Sequence, residues 1–334
     1  MNRNKVVAMP QTINITKRMK HQKTVLVPGG AGFIGANLVR KLLKENHRVI
    51  VWDNYYTGRE SNLTEHSSNE NFIFENHDIR NYKEIECDVI INLACPASPP
   101  HYQKDPVYTW ETSVLGVLNL LKLAQKNKSI FIHASTSEVY GDPLEHPQKE
   151  SYWGNVNPIG IRSCYDEGKR AAETIATDYK RTYGTDIRLI RIFNTYGPYM
   201  LADDGRVVSN FIVQALQDKP LTVYGDGSQS RSFCFVSDLV EGFYAMMNLK
   251  ESPDTPINLG NPTEFTISEL TNHVAQIVQK ELKFEYKELP ADDPTRRRPD
   301  ISSANSILQW KPVVELKDGL AVTVEYFKNQ LNIK

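Results

Sequence analysis

The stretch TVLVPGGAGFIG, residues 24–35, decides the fold, because a short apolar run leads directly into closely spaced glycines. Gly29, Gly32 and Gly35 recur at every third position, and apolar residues at helical spacing follow over residues 33–46. The first glycine permits a sharp turn, the second lets a phosphate approach the backbone, and the third lets the helix pack closely on the strand. Because a helix N-terminus also offers free N–H groups to a pyrophosphate, we expect a dinucleotide site here.

Strand and helix patterns continue to alternate as far as about residue 195. The helical spacing of apolar residues recurs at 109–126 and 163–183. The strand patterns contain few polar residues, which is typical of parallel strands covered on both faces. We therefore expect an α/β fold, a Rossmann-type doubly wound parallel sheet with a smaller α/β substrate-binding domain. The strand-like runs are residues 25–27, 49–52, 89–93, 130–134 and 187–192.

The pattern divides the chain into three segments. Residues 1–22 are polar and contain no apolar run, so we expect a tail without ordered structure and no secretory signal. Residues 23–195 would form the NAD-binding Rossmann domain. Residues 196–334, where turn residues break the chain into shorter elements, would form mainly the substrate-binding domain, with some chain crossing back to the sheet.

Composition narrows the class of partner. The 39 basic and 40 acidic residues leave a formal net charge of −1, which favours neither nucleic acid nor a membrane surface as a partner. The four cysteines form no Cys-x-x-Cys pair and have no histidine partners at zinc spacing, so we expect no metal site. Reduced thiols and the lack of a long apolar run favour a cytoplasmic protein.

Asp53 ends the second strand-like run, where a carboxylate can accept hydrogen bonds from the ribose diol of a dinucleotide. A carboxylate there repels a 2′-phosphate, so the expected cofactor is NAD rather than NADP. Arg59 is the opposing signal, since a guanidinium could attract that phosphate. Asp78, after a further apolar run, could accept a hydrogen bond from the adenine amine.

Tyr165 and Lys169 lie four residues apart in the helical pattern at 163–183, so their side chains share one helix face. An ammonium group beside a phenol favours the phenolate and brings tyrosine closer to use as a general base. Thr136, in the Ser-Thr-Ser run that follows a strand pattern, could hydrogen-bond a substrate hydroxyl beside Tyr165. That run could equally only satisfy the end of the strand.

The glycine turn, Thr136 and the Tyr165-x-x-x-Lys169 pair together resemble the extended short-chain dehydrogenase/reductase superfamily, whose members bind NAD in the first domain and a nucleotide-diphosphate sugar in the second. A narrower resemblance, to the UDP-glucuronate decarboxylases (UDP-xylose synthases), covers residues 24–325. It is carried by LACPASPPHY at 93–102, TSEVYGDP at 136–143, residues 145–160, RSCYDEGKR at 162–170, DGRVVSNF at 204–211, RSF at 231–233 and RPDI at 298–301.

This resemblance implies that UDP-glucuronate is decarboxylated to UDP-xylose through a 4-keto intermediate, with NAD recycled. It also implies a homodimer joined by a four-helix bundle, formed from the helices at 109–126 and 163–183 of each subunit. The implied catalytic residues are Tyr165, Lys169, Thr136, Ser137, Glu138 and Arg231. The implied cofactor residues are Gly29, Gly32, Phe33, Ile34, Gly35, Asp53, Asn54, Thr57, Gly58, Asp78, Ile79, Leu93, Ala94, Thr112, Tyr165 and Lys169. The implied substrate residues are Pro96, Tyr102, Asn119, Asn194, Arg206, Tyr224, Arg231 and Arg298.

Two other functions remain to be distinguished from decarboxylation. An epimerase or 4,6-dehydratase would share the 4-keto intermediate, but a dehydratase needs an acid at position 137, where this chain has Ser137. A silent NAD-binding regulator could dispense with Tyr165 or Lys169, and this chain keeps both. Glu138 could orient the substrate or protonate C5, or it could be only a buried hydrogen-bonded acid, and Arg231 could instead clamp a phosphate.

The chain departs from the usual decarboxylase pattern at five positions. Glu111 replaces a lysine on a helix expected near the substrate, where a carboxylate would repel the glucuronate carboxylate. These departures leave the expected cofactor site and the Tyr165–Lys169 pair intact. The five are Pro28, Glu111, Ser113, Ile161 and Tyr199.

Overall fold

The computed structural model describes residues 22–288 and 296–333. Its strands are β1 Thr24–Pro28, β2 Arg48–Asp53, β3 Phe72–Asn76, β4 Val89–Asn92, β5 Ile130–Thr136, β6 Ile187–Ile192, β7 Thr195–Tyr196, β8 Leu221–Tyr224, β9 Ser230–Ser232, β10 Cys234–Phe235, β11 Ile257–Leu259, β12 Glu264–Thr266 and β13 Phe284–Lys287. Its α-helices are α1 Phe33–Lys44, α2 Pro99–Tyr102, α3 Pro106–Glu111, α4 Val117–Asn127, α5 Ser163–Tyr183, α6 Val207–Leu216, α7 Val236–Asn248, α8 Ile267–Val278, α9 Ser302–Leu308 and α10 Leu316–Leu331.

A seven-stranded parallel sheet forms the centre of the described chain, in the order β11-β6-β5-β4-β1-β2-β3. The order reverses beside β1, as it does in doubly wound folds, and such a reversal opens a crevice at the carboxyl ends of the strands. The expected fold class is therefore confirmed. The strand β3 was absent from the expected strands, and β11 enters the sheet from the second half of the chain.

Alternate residues of β1 face opposite sides of the sheet and so join different cores. Val25 and Val27 pack in a cluster with residues of α1 and α7, whereas Leu26 packs on the other face with residues of α4 and α5. A separate apolar cluster joins α6, α8 and α10 beyond the sheet. This smaller unit lies over the carboxyl ends of the strands, and α7, β11 and α9 return to the sheet.

The helical pattern at 109–126 is more complex than expected. The helix begins at Pro106, where Asp105 caps it by accepting a hydrogen bond from the Tyr108 N–H at 2.9 Å. A π-helical turn, Thr112–Gly116, then separates α3 from α4. A Cβ on Gly116 would lie 2.5 Å from the Ile79 side chain, so glycine allows this turn to approach the loop after β3. Helix α5 has the expected bounds.

The remaining segment predictions concern the ends of the chain and of α1. Helix α1 ends at Lys44 rather than residue 46, because Asn46 adopts a left-handed conformation with φ of 64°. Residues 1–21 of the expected tail lie outside the described residues. Within residues 22–288 and 296–333, no helix is both long and apolar enough to cross a membrane.

Candidate active site

A cleft of about 650 Å³ lies between the carboxyl ends of the sheet strands and the smaller unit. The strand ends supply its floor, and α6, β8 and β9 supply the facing wall. Of the residues that the sequence suggested, Gly58, Asn119 and Arg298 do not line this cleft, and all the others do. The crevice at the reversal of strand order is thus the place where the expected site residues meet.

The glycine turn is shaped to hold a phosphate against the backbone. Gly29 has φ of +79°, and a Cβ there would lie 2.6 Å from the backbone nitrogen of Ala94. A Cβ on Gly35 would lie 2.2 Å from the Gly29 carbonyl oxygen, so the third glycine lets α1 start directly against the turn. Gly32 precedes α1 and provides no side-chain cap, which leaves the first N–H groups of the helix for an anion.

Asp53 is fixed beside that turn by two backbone donors. Its carboxylate accepts hydrogen bonds from the N–H of Ala31 at 3.0 Å and of Tyr55 at 2.8 Å. Burial raises the pKa of Asp53, although these two hydrogen bonds partly offset the effect. Gly58 packs behind the carboxylate, where a Cβ would lie 2.9 Å from Oδ1, and Arg59 does not line the cleft. These contacts fit a dinucleotide ribose without a 2′-phosphate.

The part of the cleft around Asp78, where the sequence predicts the adenine, contains a network that accounts for the contacts of Glu111. The Asp78 carboxylate accepts hydrogen bonds from Asn54 at 3.1 Å and from Arg80 at 2.9 Å. Arg80 also donates to Glu111 at 2.7 Å and lies over the ring of Tyr108 at 4.2 Å. Glu111 does not line the cleft, so its charge is directed to Arg80 and not toward a substrate carboxylate. Burial raises the pKa of Asp78, but the hydrogen bonds and positive charge of Arg80 outweigh burial. The pKa of Asp78 therefore lies below its ordinary value, and the ionised form is favoured.

The Tyr165–Lys169 pair lies at the centre of the cleft. Both side chains are buried on the first two turns of α5, and the Lys169 Nζ donates to the Ala134 carbonyl at 2.8 Å. That Nζ is 5.8 Å from the centre of the Tyr165 ring. Thr136 lines the same cleft and lowers the pKa of Tyr165, against the effect of burial, and the ring of Tyr102 stacks on that of Tyr165 at 5.1 Å. Burial raises the pKa of Tyr165 and lowers that of Lys169.

A second cluster, centred on Glu138, lies beside this pair. The Glu138 carboxylate accepts hydrogen bonds from Arg162 at 2.7 Å and from both terminal nitrogens of Arg297, one of them at 2.9 Å. Burial raises the pKa of Glu138, but the two guanidinium groups outweigh this and lower it to about 2. Glu138 is therefore a carboxylate, and Ser137 next to it is also buried.

Sequence reasoning missed Arg297 and Arg162. The resemblance implied Arg298 as a substrate residue, but it did not show which of the three consecutive arginines at 296–298 faces inward. The backbone of Arg297 forms a parallel β-bridge with the backbone of Arg231, so this segment is extended. The side chains of neighbouring residues in an extended segment point to opposite sides. Arg297 is therefore buried, while Arg298 pairs with Glu264 at 3.6 Å outside the cleft. The structure thus directs Arg297, rather than Arg298, toward the substrate region.

Polar side chains suited to a nucleotide sugar line the facing wall. Arg206 forms an ion pair with Asp204, and its guanidinium lies 5.6 Å from the centre of the Phe33 ring. Asn119 is not among these residues, because its amide donates to the backbone carbonyls of Ile79 and Arg80. From α4, Asn119 therefore holds the loop that carries Ile79 and Arg80. The predicted substrate residues that do line the cleft are Pro96, Tyr102, Asn194, Arg206, Tyr224 and Arg231, of which Arg206, Tyr224 and Arg231 belong to the facing wall.

The other departures from the decarboxylase pattern lie mostly away from the cleft. Ser113 is buried under Gly168 and contacts Cys95, with 3.2 Å between Oγ and Sγ. The hydroxyl of Tyr199 accepts a hydrogen bond from Arg40 and donates one to the Glu65 carboxylate at 3.0 Å, near the surface. Ile161 lines the cleft and is 61% exposed. Of the five, only Ile161 therefore borders the space that a substrate would occupy.

Known proteins are similar to this chain in sequence and in fold. The model of the NAD dependent epimerase/dehydratase family matches residues 25–260. UDP-glucuronic acid decarboxylase 1 of Arabidopsis thaliana is 54% identical over 92% of this chain and 70% of its own length. UDP-glucuronic acid decarboxylase 6 of the same plant is 51% identical, over 97% of this chain and 94% of its own length.

Among solved structures, UDP-glucuronic acid 4-epimerase from Bacillus cereus, in complex with UDP-glucuronic acid and NAD, superposes with a TM-score of 0.83. It is 29% identical and covers 92% of this chain and 99% of its own. The glycine turn, Asp53 and the buried Tyr165–Lys169 pair fit the cofactor of such enzymes. This chain belongs to the NAD dependent epimerase/dehydratase family, and within it is similar to the UDP-glucuronic acid decarboxylases.

Proposed function

We propose that this protein converts UDP-glucuronate to UDP-xylose and carbon dioxide, using tightly held NAD that is regenerated in each cycle. The observation that carries this proposal is the union, in one cleft, of the Tyr165–Lys169 pair with the Glu138–Arg162–Arg297 cluster. The Tyr165–Lys169 pair can remove a proton from a sugar hydroxyl. The Glu138 cluster presents fixed charges to the part of the substrate from which a uronate would lose its carboxylate. The relatives at about 50% identity support the same activity.

The glycine turn, Asp53 and the Asp78 network would hold NAD, which would supply a hydride acceptor for C4 of the sugar and a hydride donor at the end of the cycle. Tyr165 takes the proton of the sugar 4-hydroxyl, and Thr136 orients that hydroxyl. Burial raises the pKa of Tyr165, and an ammonium on Lys169, which is anchored on the Ala134 carbonyl, would oppose that effect by stabilising the phenolate. The same tyrosine gives the proton back when the 4-hydroxyl is restored.

A 4-keto group is β to the C6 carboxylate, so its carbonyl can accept the electron pair released as carbon dioxide leaves. The fixed charges of Glu138, Arg162 and Arg297 need no rearrangement when this charge shift occurs. C5 then takes up a proton. Arg297 is buried beside Glu138 and therefore belongs with the groups that act at this step.

The diphosphate and uracil would bind along the facing wall. Arg206 and Arg231 supply positive charge for the two phosphates, and Asn194 supplies an amide beside them. Tyr224, which is 40% exposed at the end of β8, offers a ring on which uracil can stack.

The alternative functions share the oxidation at C4 but differ in the next step. A 4,6-dehydratase must protonate a departing hydroxyl, and Ser137 cannot do so, while Glu138 is held ionised by two arginines. An epimerase needs no fixed charge around a C6 carboxylate beyond that required for binding. The Glu138 cluster therefore favours decarboxylation over both.

We also propose that the protein works as a cytoplasmic homodimer. The four cysteines are free thiols, which suits a reducing compartment. Helices α3 and α4 with the π-helical turn expose Val107, Trp110 and Leu115, and these apolar side chains suit burial against the same surface of a second subunit. Sedimentation would give twice the chain mass, and Leu115→Glu would shift it toward the monomer.

Incubation of the protein with UDP-glucuronate and NAD tests the activity. We expect UDP-xylose and carbon dioxide in equal amounts, with no net NADH. Tyr165→Phe should lower the rate about 1,000-fold because the general base is lost, while NAD still binds. Formation of UDP-galacturonate without carbon dioxide would instead identify an epimerase.

A further inference from the structure

A second, smaller cavity of about 240 Å³ lies behind the Glu138 cluster. Glu138 and Arg162 line both this cavity and the main cleft, so their ion pair forms part of the wall between the two. We call the smaller cavity the rear chamber. Its lining is Glu138, Gly141, Asp142, Asn155, Val156, Asn157, Arg162, Ser163 and Asp166.

The rear chamber runs from the surface to the active site. Asp142, Asn155 and Asn157 are exposed, whereas Arg162 and Asp166 are buried. The volume and the polar lining suit several water molecules, each with more than one hydrogen-bonding partner. The chamber therefore connects bulk water with the side of Glu138 that faces away from the main cleft.

Asp166 is the unusual residue of this chamber. It is 7% exposed, and among the described residues no group hydrogen-bonds its Oδ1. A buried carboxylate oxygen without a partner is costly, so such a group retains a proton or binds water. Burial raises the pKa of Asp166 to about 8, and the negative charge of Glu138 adds to the shift. Burial, the unpartnered Oδ1 and the nearby negative charge of Glu138 all favour the protonated form of Asp166 over its carboxylate.

The proposed reaction requires such a proton. The substrate carboxylate leaves as neutral carbon dioxide, its electron pair remains on C5 as the 4-keto enolate, and a new C5–H bond forms. Each turnover therefore takes one proton from water. Glu138, the carboxylate of the wall, is held ionised between two arginines and so has no proton of its own to supply.

We infer that Asp166 and the rear chamber supply the C5 proton from solvent, passing it by water along the Glu138–Arg162 wall. The Asp166 O–H bond breaks as the C5–H bond forms, and chamber water then reprotonates the carboxylate. Asp166 acts through water and does not touch the substrate, so its role is proton supply. This inference rests on the proposed function. The charged and titratable groups around Asp166 are Glu138, Arg162, Arg297, Glu167, Tyr102, Tyr165, Cys164 and Asp142.

The variant Asp166→Asn tests this inference, because it keeps the shape of the side chain and removes the transferable proton. Carbon dioxide release should stay within about twofold of wild type. Protonation of the bound 4-keto enolate at C5, and with it formation of UDP-xylose, should fall about tenfold, a smaller loss than that of a direct acid, since water can still diffuse in. Enolate that leaves the site takes its C5 proton from bulk water, so free UDP-4-keto-pentose and NADH should accumulate together. The control is Asp178→Asn, on the same helix and 57% exposed, which should behave as wild type.

A pH profile separates proton supply from a structural role. In wild type the share of UDP-xylose in the products should fall as pH rises through about 8, because Asp166 then loses its proton. In Asp166→Asn that share should be low and flat, and this wild-type profile can be measured even if the variant does not fold. A folded variant with wild-type partition and profile would overturn the inference. Failure of wild type to release carbon dioxide would instead refute the proposed function.

Discussion

The nucleotide end of the cleft is built from neighbours in sequence, whereas the Glu138 cluster is built from residues far apart. Gly29, Gly32, Gly35 and Asp53 come from one β-α-β unit of the chain. Glu138 and Arg297 are separated by 159 positions. A local motif carries its geometry in its spacing, while a long-range ion pair becomes visible only once the fold brings its members together. The cofactor could therefore be inferred from the sequence alone, but the surroundings of the substrate carboxylate could not.

Among the variants that compare the two ends of the cleft, the largest effect should come from Glu138→Gln, which tests the long-range cluster. We expect a loss of about 100-fold in carbon dioxide release, because two buried guanidinium groups lose their fixed counter-charge. NAD affinity should remain within twofold of wild type, since the nucleotide end is untouched. If NAD affinity fell as much as carbon dioxide release, the nucleotide end and the Glu138 cluster would not act separately.

The same variant has a pH-dependent effect on stability. The folded pKa of Glu138 is about 2, below its ordinary value of 4.5, so its stabilisation is complete above pH 4.5 and is lost as pH falls toward 2. At pH 7, Glu138→Gln should lower the free energy of unfolding by about 3 kcal/mol. Urea unfolding should show this difference narrowing between pH 4.5 and 2. Glu167→Gln, on an exposed pair with Arg170, should change little at any pH.

A smaller effect is expected at the nucleotide end from Gly35→Ala. The added methyl would lie 2.2 Å from the Gly29 carbonyl, so α1 must move away from the turn. NAD affinity measured by calorimetry should fall about tenfold, as overpacking of about 1–3 kcal/mol implies. Gly32→Ala is the matched variant, because its methyl would meet that carbonyl at 3.3 Å. Equal losses in the two variants would show that steric fit at Gly35 is not the cause.

The smallest effect should come from Glu111→Gln. Glu111 holds Arg80, and Arg80 holds Asp78, so the change loosens a half-exposed network around the adenine end. We expect the KM for NAD to rise about twofold with kcat unchanged, since exposed ion pairs contribute little. Glu84→Gln, which breaks an exposed pair with Lys126, is the control. A change in the KM for UDP-glucuronate alone would place Glu111 at the substrate instead.

Much of the fold could be predicted because the strands of this sheet are apolar on both faces. The bounds of β6 and α5 agree with the sequence patterns, and Tyr165 and Lys169 share a face as their spacing requires. The start of α3 at Pro106 was missed because its signal is a cap and a proline rather than apolar periodicity. The choice between Arg297 and Arg298 could not be made, since neighbouring positions of an extended segment differ only in the side they face.

The most direct test follows a deuterium at C4 of UDP-glucuronate through the reaction. The central claim is that oxidation at C4, loss of carbon dioxide and reduction at C4 occur on one molecule, with the cofactor bound throughout. We predict UDP-xylose that keeps the deuterium at C4, in an amount equal to the carbon dioxide released, even with excess unlabelled NADH present. Loss of the deuterium from UDP-xylose, or its appearance in free NADH, would contradict this claim.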